Sequence, residues 1–239
     1  MKQFGKQQAG FTLVEIAIVL VIIGLLLGGI LKGQEMITQA KIKNLINDLN
    51  GITAAMNSYQ DRYRAIAGDD KNADTRWANT TIRGNGDGVV QDPYLLVTTI
   101  ATATLAAGGA ASATAPESSL FWHHLRLSGF ISGTGADQPF NALSGKIGVQ
   151  TGAGLSTSAS PTTAPGVTLS GFGGLILCSG NLPDKVAISV DAQLDDASGA
   201  TGSVRAIVQS GLPPTLDASA AATTYVETGT NIYTLCRQL

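Results

Sequence analysis

Glu15 places a carboxylate inside an apolar run long enough to cross a bilayer. From Phe11 to Leu31 the chain reads FTLVEIAIVLVIIGLLLGGIL, and only Thr12 and Glu15 in it are conspicuously polar. At about 1.5 Å per residue, a helix of that length spans roughly 31 Å, close to the thickness of a hydrocarbon core. A charge deep in such a segment costs on the order of 3 kcal/mol. A plain anchor gains nothing from that cost, so Glu15 points to function. The second chemical feature is the Gly10–Phe11 peptide bond. The preceding MKQFGKQQAG holds Lys2 and Lys6 and no acid. Basic flanks stay in the cytoplasm, which orients the N-terminus inward and puts everything after Lys32 on the far side. An ordinary secretory signal has a shorter apolar region followed by a small-residue cleavage site. Here the small residue, Gly10, precedes the run, so a cut between Gly10 and Phe11 would leave the apolar helix attached.

Other polar stretches carry weaker signals. In RGNGDGVVQD (83–92), Asn85, Asp87, the carbonyl of Val89 and Asp92 match the middle of a calcium loop, with Gly88 at its sharp turn. The first and twelfth positions would be Arg83 and Tyr94, so two strong ligands are missing, and a Gly/Asn/Asp turn is the preferred reading. The adjacent His123 and His124 would face about 100° apart on a helix, awkward for one metal. A partly buried Trp122 beside surface imidazoles is expected there. Asp69 and Asp70 follow a helix end, where solvated turn residues are expected. GFGG (171–174) leads into a strand and fails as a phosphate loop. No nucleophile is accompanied by a base and an orienting group. The two cysteines, Cys178 and Cys236, lie on the far side of the membrane in this orientation. An even count in an oxidising compartment points to one disulfide, with two free buried thiols as the alternative.

The basic leader, the Gly10–Phe11 junction, Glu15 as fifth residue after it and the unbroken apolar tail resemble the type IV pilins and type II secretion pseudopilins. The sharp match covers about residues 1–35. YRAIAGDD, GNGDG, FWHHLRLSGFI and LDDASGATGSVRA resemble, more softly, the heads of pilin-like proteins. The resemblance implies cleavage after Gly10 by a prepilin peptidase and N-methylation of Phe11 by its methyltransferase activity. It implies a structural, non-enzymatic role: a pilus or fimbrial subunit that polymerises with itself through the N-terminal helix. Type II secretion pseudopilin, minor pilin or pilin-anchored adhesin is the alternative. The implied partners are other pilin-like subunits, an inner-membrane assembly platform and, before assembly, membrane lipid. The implied location is single-pass in the inner membrane, N-terminus cytoplasmic and head periplasmic, then an extracellular or envelope-spanning filament. Glu15 then has two possible partners for its charge, the new Phe11 amine of its own chain or that of a neighbour, and assembly of subunits favours the second. The resemblance also supports the Cys178–Cys236 bridge. No cofactor is expected; the major pseudopilins bind calcium nearer their C-terminus, a loose analogy, and calcium at Asn85, Asp87 and Asp92 stays a minor reading. One departure is Lys32, which stands where pilins commonly have Pro, so the helix is expected to soften only at Gly24, Gly28 and Gly29.

These residues need elements to position them. After the run, Ile42, Leu45, Leu49, Ile52, Met56, Tyr59 and Tyr63 recur at steps of three and four, an amphipathic helix with one apolar seam. That seam suits either a two-stranded coiled coil or packing on a sheet of the same chain. The long C-terminal region, which needs a core, favours the sheet. A helix from Phe11 to Tyr63 would be roughly 80 Å long. The expected organisation is a leader (1–10), a transmembrane or filament-core helix (11–31), an amphipathic continuation (32–64) and a head (65–239). Strands are expected at 174–178, 185–194, 203–209 and 231–239, with 195–202 as a turn between two of them. A helix is expected over 117–131, capped by Ser118 or Ser119 and ended by Gly129. The segments 99–118 and 151–171, rich in Ala, Thr, Ser and Gly, read as surface loops. The fold class is α+β: a long helix on an antiparallel sheet. With 13% charged residues and a formal charge of −2, the bulk composition lacks the basic footprint of a nucleic-acid binder.

Overall fold

The computed structural model describes residues 13–77, 81–90, 94, 116–151, 172–209 and 222–239. Helix α1 (Leu13–Tyr63) runs 51 residues, unbroken through Gly24, Gly28 and Gly29. By internal packing the chain forms two units, one ending at Lys41 and one running Ile42–Leu239. In the first unit α1 is apolar on every side, and its large side chains stay exposed from Leu13 to Ile37. Among the described residues it is the one helix long and apolar enough to cross a membrane.

The second unit is built on a four-stranded antiparallel sheet of β1 (Ile147–Thr151), β2 (Leu175–Pro183), β3 (Val204–Val208) and β4 (Ile232–Gln238), in the order β1-β2-β4-β3. Side chains alternate between its faces. Ile147, Val149, Leu177, Val204, Ala206, Tyr233 and Leu235 pack into one core with Ile42, Leu45, Leu49, Ile52, Met56 and Tyr59 of α1. The seam therefore serves the chain's own sheet. Arg237, on the same face as Leu235, donates to Asn50 Oδ1 of α1 at 2.7 Å. The other face carries Ile176, Cys178, Ile207 and Cys236 under Tyr94 and Phe172. Cys178 and Cys236 are direct partners in the β2–β4 register and form the disulfide there.

Both sheet edges are covered by irregular chain, which removes open templates for strand pairing. Along β1, Ile147 donates to the Pro139 carbonyl and Thr151 to that of Val90. Along β3, Ala206 donates to Gly199 and accepts from Thr223.

Helix α3 (Glu117–Leu127) follows the short α2 (Ala73–Arg76). It starts behind Pro116, whose carbonyl accepts from Ser119 and Leu120. Ser118 and Ser119 are buried in its first turn and do not cap it, which corrects the expected start. Its end follows expectation: Gly129 takes a left-handed φ of 78°, and Phe130 returns a hydrogen bond to the Leu125 carbonyl.

A second correction concerns 185–194. This stretch is helix α4 (Asp184–Leu194), not a strand. Val186, Ala187, Val190 and Asp191 are buried at helical spacing, and the Val186/Ile188/Val190 alternation is a by-product of that pattern. Pro183 sets the start, where a residue without an N–H is tolerated. The turn 195–202 therefore joins α4 to β3. The loop assignments at 99–118 and 151–171 lie outside the described residues, apart from Pro116, the first turn of α3 and Thr151 at the end of β1.

Candidate functional site

The first unit presents one acid among aliphatic side chains. Glu15 lies in the first described turn of α1 and is exposed, as are Leu13, Val14, Ile16 and Ile18 around it. A helix apolar all round is stable where it is buried, in a membrane or in a protein core. The run ends in charge: Lys32 Nζ lies 2.7 Å from Glu35 Oε2. Gly10 and Phe11, which define the expected cleavage and methylation, lie outside the described residues.

In the second unit the polar groups singled out from the sequence are structural clamps around the end of α1. Asp70 is fully buried. It holds Arg76 through two bonds of 2.7 Å and accepts from the Tyr59 hydroxyl at 2.7 Å and the Asn72 amide at 2.9 Å. The Arg76 guanidinium lies 4.6 Å from the centre of the Tyr63 ring, a cation–π contact. Asp69, also buried, accepts from the amides of Gly86 at 2.6 Å and Gly88 at 2.8 Å, fixing the 84–90 loop. Burial raises the Asp69 pKa above the ordinary carboxylate range, and those amides pull it part of the way back. Gly84 is needed here, since a Cβ would overlap the Asp69 backbone. The expectation of solvated turn acids at 69 and 70 is thus corrected, because partners distant in sequence enclose both.

The histidines are corrected likewise. His124 is fully buried and His123 nearly so. His124 Nδ1 accepts from the Gly68 amide at 3.0 Å, and Nε2–H donates to the Ile82 carbonyl at 2.9 Å. Both ring nitrogens serve backbone, which sets the neutral tautomer, and burial pushes the pKa down to about 4. Trp122 is fully buried, not partly.

In the 83–92 loop, Asn85 Nδ2 donates to Asp87 Oδ2 at 2.9 Å, Asn85 Oδ1 accepts from the Asp87 amide, and Asp87 Oδ1 from Val89. These are successive Asx turns. Asp92 lies outside the described residues. Asp87 does approach two acids the sequence reading did not connect to it, Asp69 and Glu117, one oxygen of each lying within 4.8 Å of the others. No local spacing signals that grouping, because α3 brings Glu117 from 30 positions away.

The chain matches the family model described as the prokaryotic N-terminal methylation motif over residues 5–31. No curated protein and no solved structure matches it. The matched segment takes in Gly10, Phe11, Glu15 and the apolar run together. With a long apolar helix continuing onto an antiparallel sheet, it supports a type IV pilin-like or pseudopilin-like prepilin of α+β architecture.

Proposed function

We propose that this protein is a structural subunit of a type IV pilus-like filament. Prepilin peptidase removes residues 1–10 on the cytoplasmic side, Phe11 is N-methylated, and the head waits in the periplasm while α1 lies in the inner membrane. Assembly then moves α1 from lipid into the filament core against other copies, with the heads outside. The observation that carries the reading is the exposed apolar surface from Leu13 to Ile37 holding Glu15 within a matched methylation motif.

The chemistry follows from the cut. Cleavage unmasks an ammonium at Phe11, and Glu15 lies four residues along the chain. In a dry helix bundle a lone carboxylate is strongly unfavourable, and pairing with a neighbour's ammonium offsets that cost. Aliphatic packing is non-directional, so the ion pair supplies the axial register between subunits. The test is mass spectrometry of subunits from sheared surface fibres. Subunits that begin at N-methylated Phe11 are expected, whereas intact Met1 in a dispersed membrane protein would contradict the proposal.

A further inference from the structure

Two Asn–Gly pairs occur in the chain, Asn50–Gly51 and Asn85–Gly86. Asparagine is among the thermolabile residues. Before glycine it is the most exposed to attack by its own backbone, because no Cβ hinders the approach of the glycine nitrogen to the carboxamide carbon. The two pairs stand in opposite settings. Asn50–Gly51 lies inside α1, where helical hydrogen bonds hold the backbone and Asn50 Oδ1 accepts from Arg237 Nη1 at 2.7 Å. Asn85, Gly86 and Asp87 lie exposed in the 84–90 loop, and Gly86 takes a left-handed φ of 78°.

Three hydrogen bonds around Asn85–Gly86 match what closure of a succinimide ring needs. Asp69 Oδ1 accepts from the Gly86 amide at 2.6 Å, so a carboxylate sits on the proton that must leave the attacking nitrogen. Asn85 Oδ1 accepts from the Asp87 amide at 2.8 Å, which puts a donor on the oxygen that gains charge. That bond also closes a short loop of atoms containing both reacting centres, Gly86 N and Asn85 Cγ. Asn85 Nδ2 donates to Asp87 Oδ2 at 2.9 Å, which orients the departing group. Burial makes Asp69 a stronger base than an ordinary carboxylate. A cavity of about 280 Å³, lined in part by Asp69, Lys71, Gly86 and Gly88, leaves room for water beside the pair.

We propose that Asn85 is a self-modification site, converted through a succinimide into aspartate and isoaspartate with Asp69 as the base. The Gly86 nitrogen bonds to Asn85 Cγ while its proton moves to Asp69 Oδ1. The Cγ–Nδ2 bond then breaks, and the amine leaves as ammonia after taking that proton through water. A water molecule opens the ring by splitting the Gly86 nitrogen from Cγ, giving aspartate, or from the backbone carbonyl carbon, giving isoaspartate. The sum is a water consumed and an ammonia released. The product carboxylate loses the donor that faced Asp87 Oδ2. It adds charge where oxygens of Asp69, Asp87 and Glu117 already lie within 4.8 Å of one another. The isoaspartyl form also inserts a backbone carbon beside Gly86, whose amide, with that of Gly88, ties the loop to Asp69. Conversion therefore loosens the loop that Asp69 clamps.

The test incubates the full chain, folded in detergent or unfolded in guanidinium chloride, and follows the Asn85 and Asn50 peptides by mass spectrometry. Isoaspartate at position 85 is read by enzymatic methylation. Asn85 is expected to convert faster in the folded chain than in the unfolded one, the reverse of the protection that α1 gives Asn50. Asp69→Asn keeps the side-chain shape but removes its basicity. It is expected to erase the folded-state excess at Asn85 while Asn50 stays unconverted. Incubated wild type is expected to melt below fresh protein, whereas Asn85→Gln, whose longer side chain disfavours the succinimide ring, holds its melting temperature. Folded Asn85 that converts no faster than unfolded Asn85 overturns the proposal, as does equal conversion in folded Asp69→Asn and wild type. The folded-against-unfolded comparison uses wild type alone, so it decides the matter even where Asp69→Asn fails to fold.

Discussion

At the scale of single residues, burial separates side chains that composition alone treats alike. Asp70 is fully enclosed with Arg76, Tyr59 and Asn72, so removing it strands a guanidinium that keeps only a quarter of its surface in water. Asp70→Ala is expected to lower stability by about 3 kcal/mol, the low end for breaking a buried pair, as read by urea unfolding in detergent. Tyr59→Phe removes one bond to the same carboxylate and is expected to cost about 1.5 kcal/mol. His124 gives a pH signature. Its folded pKa of about 4 lies below the ordinary histidine value of 6.5, so the unfolded chain takes the proton first. The contribution is fully present above about pH 6.5 and lost as pH falls toward 4, amounting to about 3 kcal/mol. Asp191 works in the opposite direction, since its raised carboxyl pKa adds stability as pH falls through 6 toward 3.8. The informative measurement is therefore the difference between wild type and His124→Gln across that range. The wild type is expected to lose ground relative to the variant as pH falls, and parallel profiles would contradict the assignment.

At the scale of elements, the period of the apolar residues was the reliable signal where it was long, and the unreliable one where it was short. Seven seam residues at alternating steps of three and four allow only a helix, and six of them are buried in the core. Ten residues around Val186, Ile188 and Val190 satisfy both a strand and a helix; alternation favours the strand, whereas the Pro183–Asp184 start marks the helix that forms. The buried acids and histidines were unreadable for a different reason. Their partners come from other elements, as Arg76 of α2 does for Asp70, or His124 of α3 for Gly68. The cysteines were legible from count and compartment, and β2 and β4 place them directly opposite one another. Closing so long a loop is worth about 4 kcal/mol by the chain-entropy relation. Replacing both cysteines by Ala is expected to lower the urea midpoint accordingly. Leu49→Ala in the seam is expected to cost about 2–5 kcal/mol, because the fully buried leucine leaves a cavity under the sheet. Both are read from the same unfolding curves, and an unchanged midpoint for either would contradict its role.

At the scale of the whole molecule, two kinds of surface share one chain. The second unit satisfies its own sheet edges and buries its seam, whereas the first leaves an exposed apolar helix long enough to cross a membrane. The methylation motif is legible in the sequence because it is local: two lysines, the Gly10–Phe11 pair and an acid within 15 residues. The proposed assembly requires Glu15 to meet the ammonium of a neighbouring Phe11. The most direct measurement compares sheared fibre yield from wild type and Glu15→Leu, alongside immunoblots that separate precursor from mature chain. The variant is expected to insert and to be cleaved after Gly10. Its fibre yield should fall at least about tenfold, the effect of losing roughly 1.4 kcal/mol per subunit contact. A cleaved Glu15→Leu chain that builds fibres at the normal yield would contradict the account.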